Sequence, residues 1–427
     1  MQAKSALHSI LVRSLGRPDR RSVRLLGPQA QPQAQIVRKI VAEPDFLLRK
    51  RTRNHGCFDY FAKCHEPWIT FAEPRVSNTL TSPHSLTLAD RGALEVSAGR
   101  RRVVAVTGAS QFLGTNLIGL LEEEPNVRTI VCLDTEAPTT SGAKSRFYNL
   151  NLTEALAEER LAEILSAEAV DVVIHLAFLD SPTHMAAFAH ELESVGTMHV
   201  INACRRAKVH KIVMRSQTLL YGAHPTNPNY LSEKHPLRAR RTEWFFADKI
   251  EAETEVLRFG KPGQGRIATV LRFAPLIGPT VDNFVTRYLS HRLTPAVLGF
   301  DPLWQFLHEA DAVRALRLAV LYDAPGVFNI VGDGVLPLRT VIKLAGRSAL
   351  PLPRSFASGL TAALWLSQLA EAPPAFFDYL QYICVADGAL AKRELGFDPL
   401  YTSREALIDY ANAQHLRDVK LLSETPA

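Results

Sequence analysis

The segment from Val103 to Gly114 constrains the fold of this chain more than any other feature. It reads Val-Val-Ala-Val-Thr-Gly-Ala-Ser-Gln-Phe-Leu-Gly, which predicts a buried strand, a glycine turn and the start of a helix. In such units the glycines allow a tight turn and close helix packing, and the helix N-terminus presents N–H groups to a phosphate. Gln111 stands where a middle glycine is usual. The loop is therefore either slightly wider, with the Gln111 side chain turned outward, or less open to a phosphate.

A second apolar run, residues 129–134, ends in the carboxylate of Asp134, twenty residues after Gly114. An acid at the end of the second strand accepts hydrogen bonds from the ribose hydroxyls of an adenine dinucleotide and repels a 2′-phosphate. We therefore expect NAD rather than NADP to bind at Asp134 and the loop 108–114. The alternative is that Asp134 only caps the next element.

Beyond residue 101, short Val/Ile-rich runs alternate with amphipathic segments of helical length. This alternation predicts an α/β fold, a Rossmann-type doubly wound parallel sheet with helices on both faces. The predicted strands are residues 103–107, 129–134, 145–150, 170–176, 211–215, 268–273 and 327–331. The predicted helices are residues 113–123, 152–167, 186–207 and 248–259.

The net charge of +6 is unevenly distributed over the 427 residues. Residues 1–101 carry 17 Lys and Arg against 8 Asp and Glu, whereas residues 102–427 carry 32 against 35. A nucleic-acid-binding domain concentrates basic residues on its folded surface, so the acidic main body argues against nucleic acid as a partner. A basic leader that binds nucleic acid would be a separate function class.

Residues 1–100 are predicted to be a basic, largely disordered extension. A plain tail, an organelle transit peptide and translated sequence upstream of the true start are all compatible with this composition. Within it, His55, Cys57, Cys64 and His65 could ligate a soft metal. Their spacing is unlike the common zinc patterns, so we expect no metal site.

The five cysteines are odd in number and widely separated, unlike the disulfide framework of a secreted protein. This favours a reducing compartment, and we expect a cytoplasmic protein unless the leader directs organelle import. No apolar stretch reaches the roughly 18 residues that cross a bilayer, so no membrane span is expected.

These segments together resemble the extended short-chain dehydrogenase/reductase superfamily, and within it the NAD-dependent epimerase/dehydratase family that acts mainly on nucleotide sugars. The matching segments are Thr107-Gly108-x5-Gly114, Asp134, residues 171–177, Gly196-Thr197, Ser216 with Tyr221-Gly222, Lys249 with Glu251 and Glu253, and residues 271–279, 305–311, 325–329 and 394–399. The resemblance covers residues 101–415. It implies a smaller C-terminal substrate lobe, mainly residues 278–326 and 335–400, with a tail from 416 to 427.

The resemblance also implies which residues hold NAD. They are Gly108, Ser110, Gln111, Phe112, Leu113, Gly114, Asp134, Asn151, Leu176, Ala177 and Lys249. Asn151 would present a carbonyl oxygen to the adenine amine, and Leu176 with Ala177 would line the nicotinamide side. His175 is expected to be a strand histidine with a satisfied partner, and Gly196 and Thr197 to serve helix packing.

The catalytic positions depart from the family. Family chemistry needs a Tyr that exchanges a proton, a Lys four residues later, and a Ser or Thr that orients the substrate. Lys249 matches the Lys, but Phe245 and Gln217 stand where the Tyr and the Ser are expected. Either another group has taken over the proton transfer or the domain binds a nucleotide without the usual reaction. The candidates are Lys249, Tyr221 and Ser216, with His224 and Tyr230 nearby.

The substrate side is expected in the segment 283–306, where the family contacts the diphosphate of a nucleotide sugar. Arg287, Arg292 and Gln305 are the residues implied, because the guanidinium fork pairs bidentately with phosphate. The alternative is a surface helix with solvated arginines. Downstream, Asp311 is expected to cap a helix.

Two functions follow from this sequence. The first is an NAD-binding, epimerase/dehydratase-like protein that acts on or binds a nucleotide sugar through an atypical active site. The second is a non-catalytic protein that senses NAD or a nucleotide sugar or serves as a scaffold. The family resemblance further implies a homodimer.

Overall fold

A computed structural model describes residues 101–263, 265–368 and 372–424. The basic extension, with its four potential metal ligands, lies outside these residues.

The described residues contain thirteen strands. They are β1 (Arg102–Thr107), β2 (Val127–Asp134), β3 (Ser145–Asn149), β4 (Val172–His175), β5 (Lys211–Gln217), β6 (Ile267–Phe273), β7 (Leu276–Ile277), β8 (Leu293–Val297), β9 (Leu303–Trp304), β10 (Leu307–His308), β11 (Gly326–Ile330), β12 (Leu336–Pro337) and β13 (Ser348–Leu352). Seven of them form one parallel sheet in the order β11-β6-β5-β4-β1-β2-β3. The order reverses at β1, which is where doubly wound sheets bind ligands.

Ten α-helices are described in the same residues. They are α1 (Phe112–Glu122), α2 (Ala157–Ala167), α3 (Ala186–His190), α4 (Gly196–Arg206), α5 (Trp244–Phe259), α6 (Phe284–Ser290), α7 (Glu309–Leu321), α8 (Leu338–Leu344), α9 (Arg354–Leu366) and α10 (Ser403–Glu424). Short 3-10 and π-helical segments add Thr218–Tyr221, Pro374–Leu380, Glu191–Val195 and Ala391–Leu395. No helix in these ranges combines the length and the apolar character needed to cross a bilayer.

Two cores lie on opposite faces of the sheet. Successive side chains of a strand point to opposite faces, so Val104 packs in the core that contains α1 and α7, while Val103 packs in the core that contains α2, α4 and α5. Both faces are therefore covered, which explains why the strands are apolar runs rather than alternating ones.

The sequence predicted all seven strands of the sheet and its fold class, and the structure confirms both. The observed helix boundaries differ from the predicted ones more than the strand boundaries do. Helix α5 begins four residues before the predicted start, and the predicted helix 186–207 is interrupted by the π-helical turn Glu191–Val195. The turn carries Glu193, whose role becomes clear at the site.

The C-terminal lobe has its own core, built by α6, α8 and α10 with the short strand pairs β8/β13 and β9/β12.

The prediction that Asp311 caps α7 was wrong, because His308 is the N-cap and accepts from the Ala310 N–H (3.2 Å). Asp311 instead accepts the N–H groups of Leu400 and Tyr401 at 3.0 Å. Buried in the first turn, it ties α7 to the chain that leads into α10.

Candidate functional site

The turn after β1 requires glycine at both of its glycine positions. Gly108 has φ +70°, and a Cβ there would lie 2.9 Å from the backbone of Leu176 and Ala177. A Cβ on Gly114 would lie 2.2 Å from the Gly108 carbonyl oxygen. A side chain at Gly108 would push the turn away from the segment after β4, and a side chain at Gly114 would push α1 away from the turn.

Helix α1 begins at this turn without a cap. Its N-cap Gln111 has φ −70° and ψ 161°, its side chain makes no cap hydrogen bond, and the first turn contains no acidic residue. Uncapped N–H groups and the positive end of the helix dipole favour an anion. Because its φ is negative, residue 111 does not require glycine, and its half-exposed side chain fits the wider loop that the sequence allowed.

Asp134 lies at the carboxyl end of β2, directly against the turn. Its Oδ2 accepts from the Ser110 N–H (2.9 Å) and the Ser110 hydroxyl (2.7 Å), and its Oδ1 accepts from the Thr135 N–H (2.8 Å). The carboxylate therefore fixes the turn, and a ribose hydroxyl would have to replace or share the Ser110 hydroxyl.

The other residues expected around a dinucleotide line the same edge of the sheet. Leu176 and Ala177 follow β4, are buried and touch the Gly108 turn. The Asn151 carbonyl oxygen accepts from the Thr153 N–H (3.1 Å) and hydroxyl (2.8 Å). Both of its lone pairs are thus used, so the expected contact with an adenine amine requires Thr153 to give way.

His175 is a satisfied strand histidine, as predicted. The Thr197 hydroxyl donates to the Glu193 carbonyl oxygen, so His175 Nε2–H must donate to Thr197 Oγ1 (2.9 Å). The Thr107 hydroxyl then donates to His175 Nδ1 (2.7 Å). Burial lowers the pKa of His175 to about 3, so the ring stays neutral and carries no catalytic charge.

Lys249 is buried and paired with a carboxylate that the sequence did not indicate. Its Nζ donates to Glu193 Oε1 (2.6 Å) and Oε2 (2.7 Å), and Glu193 also accepts the Leu179 N–H (2.7 Å). Burial lowers the pKa of the Lys249 ammonium and raises the pKa of the Glu193 carboxyl, while their pairing opposes both shifts. The ion pair anchors α5 to the π-helical turn that carries Glu193.

Phe245 lies one turn before Lys249 on α5. The centre of its ring is 3.9 Å from the Lys249 ammonium, and its ring packs edge-on to Phe246 and Phe284 and tilted against Phe376. The position where the family has a proton-exchanging Tyr is thus part of an aromatic cluster.

Ser216 and Tyr221, the other candidates for proton transfer, belong to a separate buried network. The Ser216 hydroxyl donates to Glu253 (2.6 Å), Glu253 pairs with Arg272, and Arg272 donates to the Tyr221 hydroxyl (2.7 Å). Tyr221 in turn donates to Asn329 (2.8 Å), and burial raises its pKa to about 12. These contacts give the pair a structural role, and proton transfer by Tyr221 stays a prediction that its pKa opposes.

A small recess of about 20 Å³ lies at the end of β5, with polar side chains on one part of its mainly apolar lining. Arg215 pairs there with Asp180, while Arg215 Nε and Gln217 Oε1 are buried without a hydrogen-bond partner among the described residues. A buried polar atom without a partner is costly, so this recess is suited to a ligand that supplies one donor and one acceptor.

A larger cavity of about 410 Å³ borders the recess. The residues that line both are Leu219, Pro275, Phe284 and Val285. The cavity lies between β9, α6 and the segment Pro374–Leu380, and Leu219 and Pro275, which follow β5 and β6, bring it to the edge of the main sheet.

The structure brings only one of the three expected substrate residues to this cavity. Arg287 pairs with Asp282 (2.8 Å), and neither Arg287 nor the exposed Arg292 is among the lining residues. Gln305 lines the cavity, but its amide already bonds two backbone groups, at 3.0 and 3.4 Å. Arg287, on α6, matches the alternative of a solvated surface helix, whereas Arg292 lies two residues after that helix ends.

Comparison with known proteins decides the family. The model of the NAD dependent epimerase/dehydratase family matches residues 104–331, more than half of the chain. The chain belongs to the NAD-dependent epimerase/dehydratase family. NAD is the cofactor of this family, as the sequence predicted.

Individual relatives of this epimerase/dehydratase chain are distant. It is 31% identical over 321 residues to an uncharacterized protein of Mycobacterium tuberculosis strain H37Rv, which covers 74% of this chain and 85% of the relative. It is 28% identical over 273 residues to a 3-diazoavenalumate denitrifying reductase of Streptomyces sp., and this match covers 61% of this chain and 86% of the reductase. The solved complex of MoeE5 with UDP-glucuronic acid and NAD has the same fold, with TM-score 0.58 and 22% identity over 75% of this chain and all of MoeE5.

Sequence reasoning missed Glu193, Asp180 and Arg215 at this epimerase/dehydratase site. Arg215 could have been noticed, since a charged residue two positions before the end of a fully buried strand needs a partner. Glu193 gave no signal, because its partner Lys249 is 56 residues away.

Proposed function

We propose that the chain binds NAD and supports oxidoreduction at an active site that lacks the family's Tyr. The observation that carries NAD binding is the uncapped start of α1, where Gly108 and Gly114 leave no room for a side chain. The proposed cofactor residues are Gly108, Ser110, Gln111, Phe112, Leu113, Gly114, Asp134, Asn151, Leu176, Ala177 and Lys249.

NAD, when bound, supplies a hydride acceptor or, in its reduced form, a donor. The chain's own residues must then hold the substrate and manage a proton. Phe245 has no ionisable group, and the Lys249 ammonium already serves Glu193. Loss of a general acid or base typically forfeits about 10²–10⁴-fold in rate. We therefore propose a slow reaction, or one whose proton comes from solvent or substrate.

Lys249 acts in this proposal as a positioning residue as well as a cofactor contact. Paired with Glu193, which also accepts the Leu179 N–H, it fixes α5 against the segment that follows β4, with its ammonium over the Phe245 ring. Ser216 and Tyr221 hold β5 to β6 through Glu253 and Arg272.

A second candidate is an NAD-binding protein without catalysis, a sensor or a scaffold. Phe245 and the closed Lys249–Glu193 pair favour it, because both remove the usual proton path. The denitrifying reductase among the relatives favours the first candidate. For binding of a nucleotide sugar, as in the MoeE5 complex, Gln305 is the one expected substrate residue that lines the 410 Å³ cavity.

The first experiment identifies the nucleotide. Native mass spectrometry of the purified full chain, followed by titration calorimetry with NAD and NADP, should find NAD bound more tightly than NADP. If neither dinucleotide binds, even in the Gln111→Gly variant, the proposed function is wrong.

The second experiment separates the two candidates. Phe245→Tyr should raise NADH oxidation with an aryl ketone, or epimerisation of UDP-glucose, by at least tenfold if the reaction lacks only its acid. Trp244→Tyr, which adds a tyrosine at the exposed neighbouring position, should change nothing. Undetectable turnover in the wild type and in both variants, with NAD bound, would favour the non-catalytic candidate.

The homodimer, the cytoplasmic location and the domain boundaries expected from the sequence stay predictions. Size-exclusion chromatography with light scattering tests the homodimer directly, because the masses of a monomer and a dimer differ by a factor of two.

A further inference from the structure

The walls of the 410 Å³ cavity are unsuited to a charged ligand. None of its lining residues, all within the described part of the chain, is Lys, Arg, Asp or Glu, and its one histidine, His291, is exposed. Seven of its lining residues are aromatic, namely Phe284, Tyr288, Trp304, Phe376, Phe377, Tyr379 and Tyr382. Aromatic faces bind apolar and aromatic ligands, whereas a diphosphate placed among them would lose its hydration without gaining a counter-charge.

Three polar groups of the aromatic lining residues are already used within the protein. The Tyr288 hydroxyl donates to the Pro295 carbonyl (2.5 Å), and the Tyr379 hydroxyl donates to the Leu219 carbonyl (2.6 Å). Trp304 Nε1–H donates to the Tyr379 carbonyl (3.1 Å). These bonds turn the rings so that their faces and edges, rather than their polar atoms, are available to a ligand.

The recess at the end of β5 gives the cavity one polar end. Arg215 Nε–H is an unused donor and Gln217 Oε1 an unused acceptor, both on buried side chains. A hydroxyl group carries both of the missing partners, because its oxygen accepts from an N–H and its hydrogen is donated to an amide oxygen. Gln217 also stands where the family's substrate-orienting Ser is expected, which places this polar end at the reacting part of a substrate.

We infer that the substrate of this site is an aromatic molecule that carries a hydroxyl group, and not a nucleotide sugar. The ring system would occupy the cavity, and the oxygen would lie between Arg215 and Gln217. This inference rests on the proposed function, because it names the substrate class of the same site.

A second hollow, of about 370 Å³, offers the best rival place for a diphosphate. Arg238, Arg240 and Arg354 line it, and Tyr379 and Tyr382 separate it from the cavity. Asp378 pairs with Arg240 (2.8 Å) and lies 3.7 Å from Arg354. All three arginines are exposed, and exposed arginines of this kind are normally hydrated. A nucleotide sugar is therefore the alternative that the experiment must exclude.

The test uses the full chain saturated with NAD and three probes. They are 1-(2-naphthyl)ethanol, 2-ethylnaphthalene, which lacks the hydroxyl, and UDP-glucose. Calorimetry should show that the alcohol binds at least fivefold more tightly than the hydrocarbon, and that UDP-glucose neither binds nor competes. Binding of UDP-glucose without binding of the naphthyl probes would overturn the inference.

Three variants localise the binding. Leu303→Arg, in the cavity wall, should weaken both naphthyl probes at least tenfold, whereas Leu400→Arg, at an exposed site outside it, should not. Gln217→Leu should abolish the preference for the alcohol while the hydrocarbon still binds. Unchanged affinities in Leu303→Arg, or an unchanged preference in Gln217→Leu, would refute the assignment of the cavity or of the recess.

NAD titration of every variant distinguishes the two proposals. If NAD binds but neither naphthyl probe does, the substrate class is wrong and the proposed function stands. If the naphthyl probes bind as expected but NAD does not, the proposed function fails and the cavity remains an aromatic binding site without its cofactor.

Discussion

The ammonium of Lys249 lies 3.9 Å from the centre of the Phe245 ring, and both side chains are buried. A desolvated cation over an aromatic face gains about 2 kcal/mol. The same ring packs against Phe284 and Phe376, which line the cavity. Phenylalanine at this position thus supports two aromatic residues of the cavity wall from behind, and in the proposed function it also stands in place of the family's proton carrier.

Breaking the Lys249–Glu193 pair should destabilise the fold strongly. Removal of one partner leaves the other charge buried, so Lys249→Met and Glu193→Leu should each cost about 3–5 kcal/mol of unfolding free energy. The double variant should lose much less unfolding free energy than the two single variants added together, because no unpaired charge remains. Urea unfolding of the four proteins measures this coupling.

The matched control is Arg393→Met. Its partner Glu394 forms an exposed ion pair, so the loss should stay below about 1 kcal/mol. Additive losses in the double variant would show that Lys249 and Glu193 do not stabilise each other.

The sequence predicted the sheet and the cofactor turn because both depend on local patterns. Buried strands read as apolar runs, and a turn that excludes Cβ atoms at Gly108 and Gly114 shows as glycines at fixed spacing. The far side of the site could not be predicted in this way. Its cavity joins residues from Leu219 to Cys384, and a long-range contact such as Lys249 with Glu193 leaves no periodic trace.

Arg287 on α6 shows the same limit from the other direction. Arg287 has the residue type that a diphosphate site needs, and its place in the family pattern suggested that role. Its partner is nevertheless Asp282, five residues earlier, and its side chain is 41% exposed. Residue type and spacing therefore indicated that Arg287 could bind a phosphate. They did not indicate which way its side chain faces on the helix.

Gly114→Ala should abolish NAD binding while leaving the sheet folded. The added Cβ would lie 2.2 Å from the Gly108 carbonyl, so the turn must open and α1 must shift away from a bound phosphate. Gly119→Ala on the same helix is the control, because its Cβ would lie 3.2 Å from a single methyl group of Thr140. Calorimetric titration with NAD compares them, and equal affinities would show that the turn does not bind the cofactor.

Asp134→Asn should weaken NAD binding about tenfold and reduce the preference over NADP. The neutral amide loses a charge-assisted hydrogen bond worth about 1.5–3 kcal/mol and no longer repels a 2′-phosphate. Glu136→Gln removes an exposed carboxylate two residues later and should leave both affinities unchanged. An unaltered ratio of NAD to NADP affinity in Asp134→Asn would mean that Asp134 serves only the Ser110 turn.

Stability should fall with decreasing pH in a way that depends on His175. The folded chain keeps this ring neutral down to a pKa of about 3, whereas the unfolded chain takes up a proton near pH 6.5. Because the unfolded state binds one more proton in this window, the free energy of unfolding falls by about 1.4 kcal/mol for each pH unit below 6.5. His175→Gln can keep a donor toward Thr197 and an acceptor toward Thr107, and it should remove this share of the slope. Urea unfolding between pH 7 and 4.5 measures the slope of unfolding free energy against pH in the wild type, in His175→Gln and in the control His224→Gln, which changes an exposed histidine. Parallel slopes in all three proteins would show that His175 is protonated in the folded state.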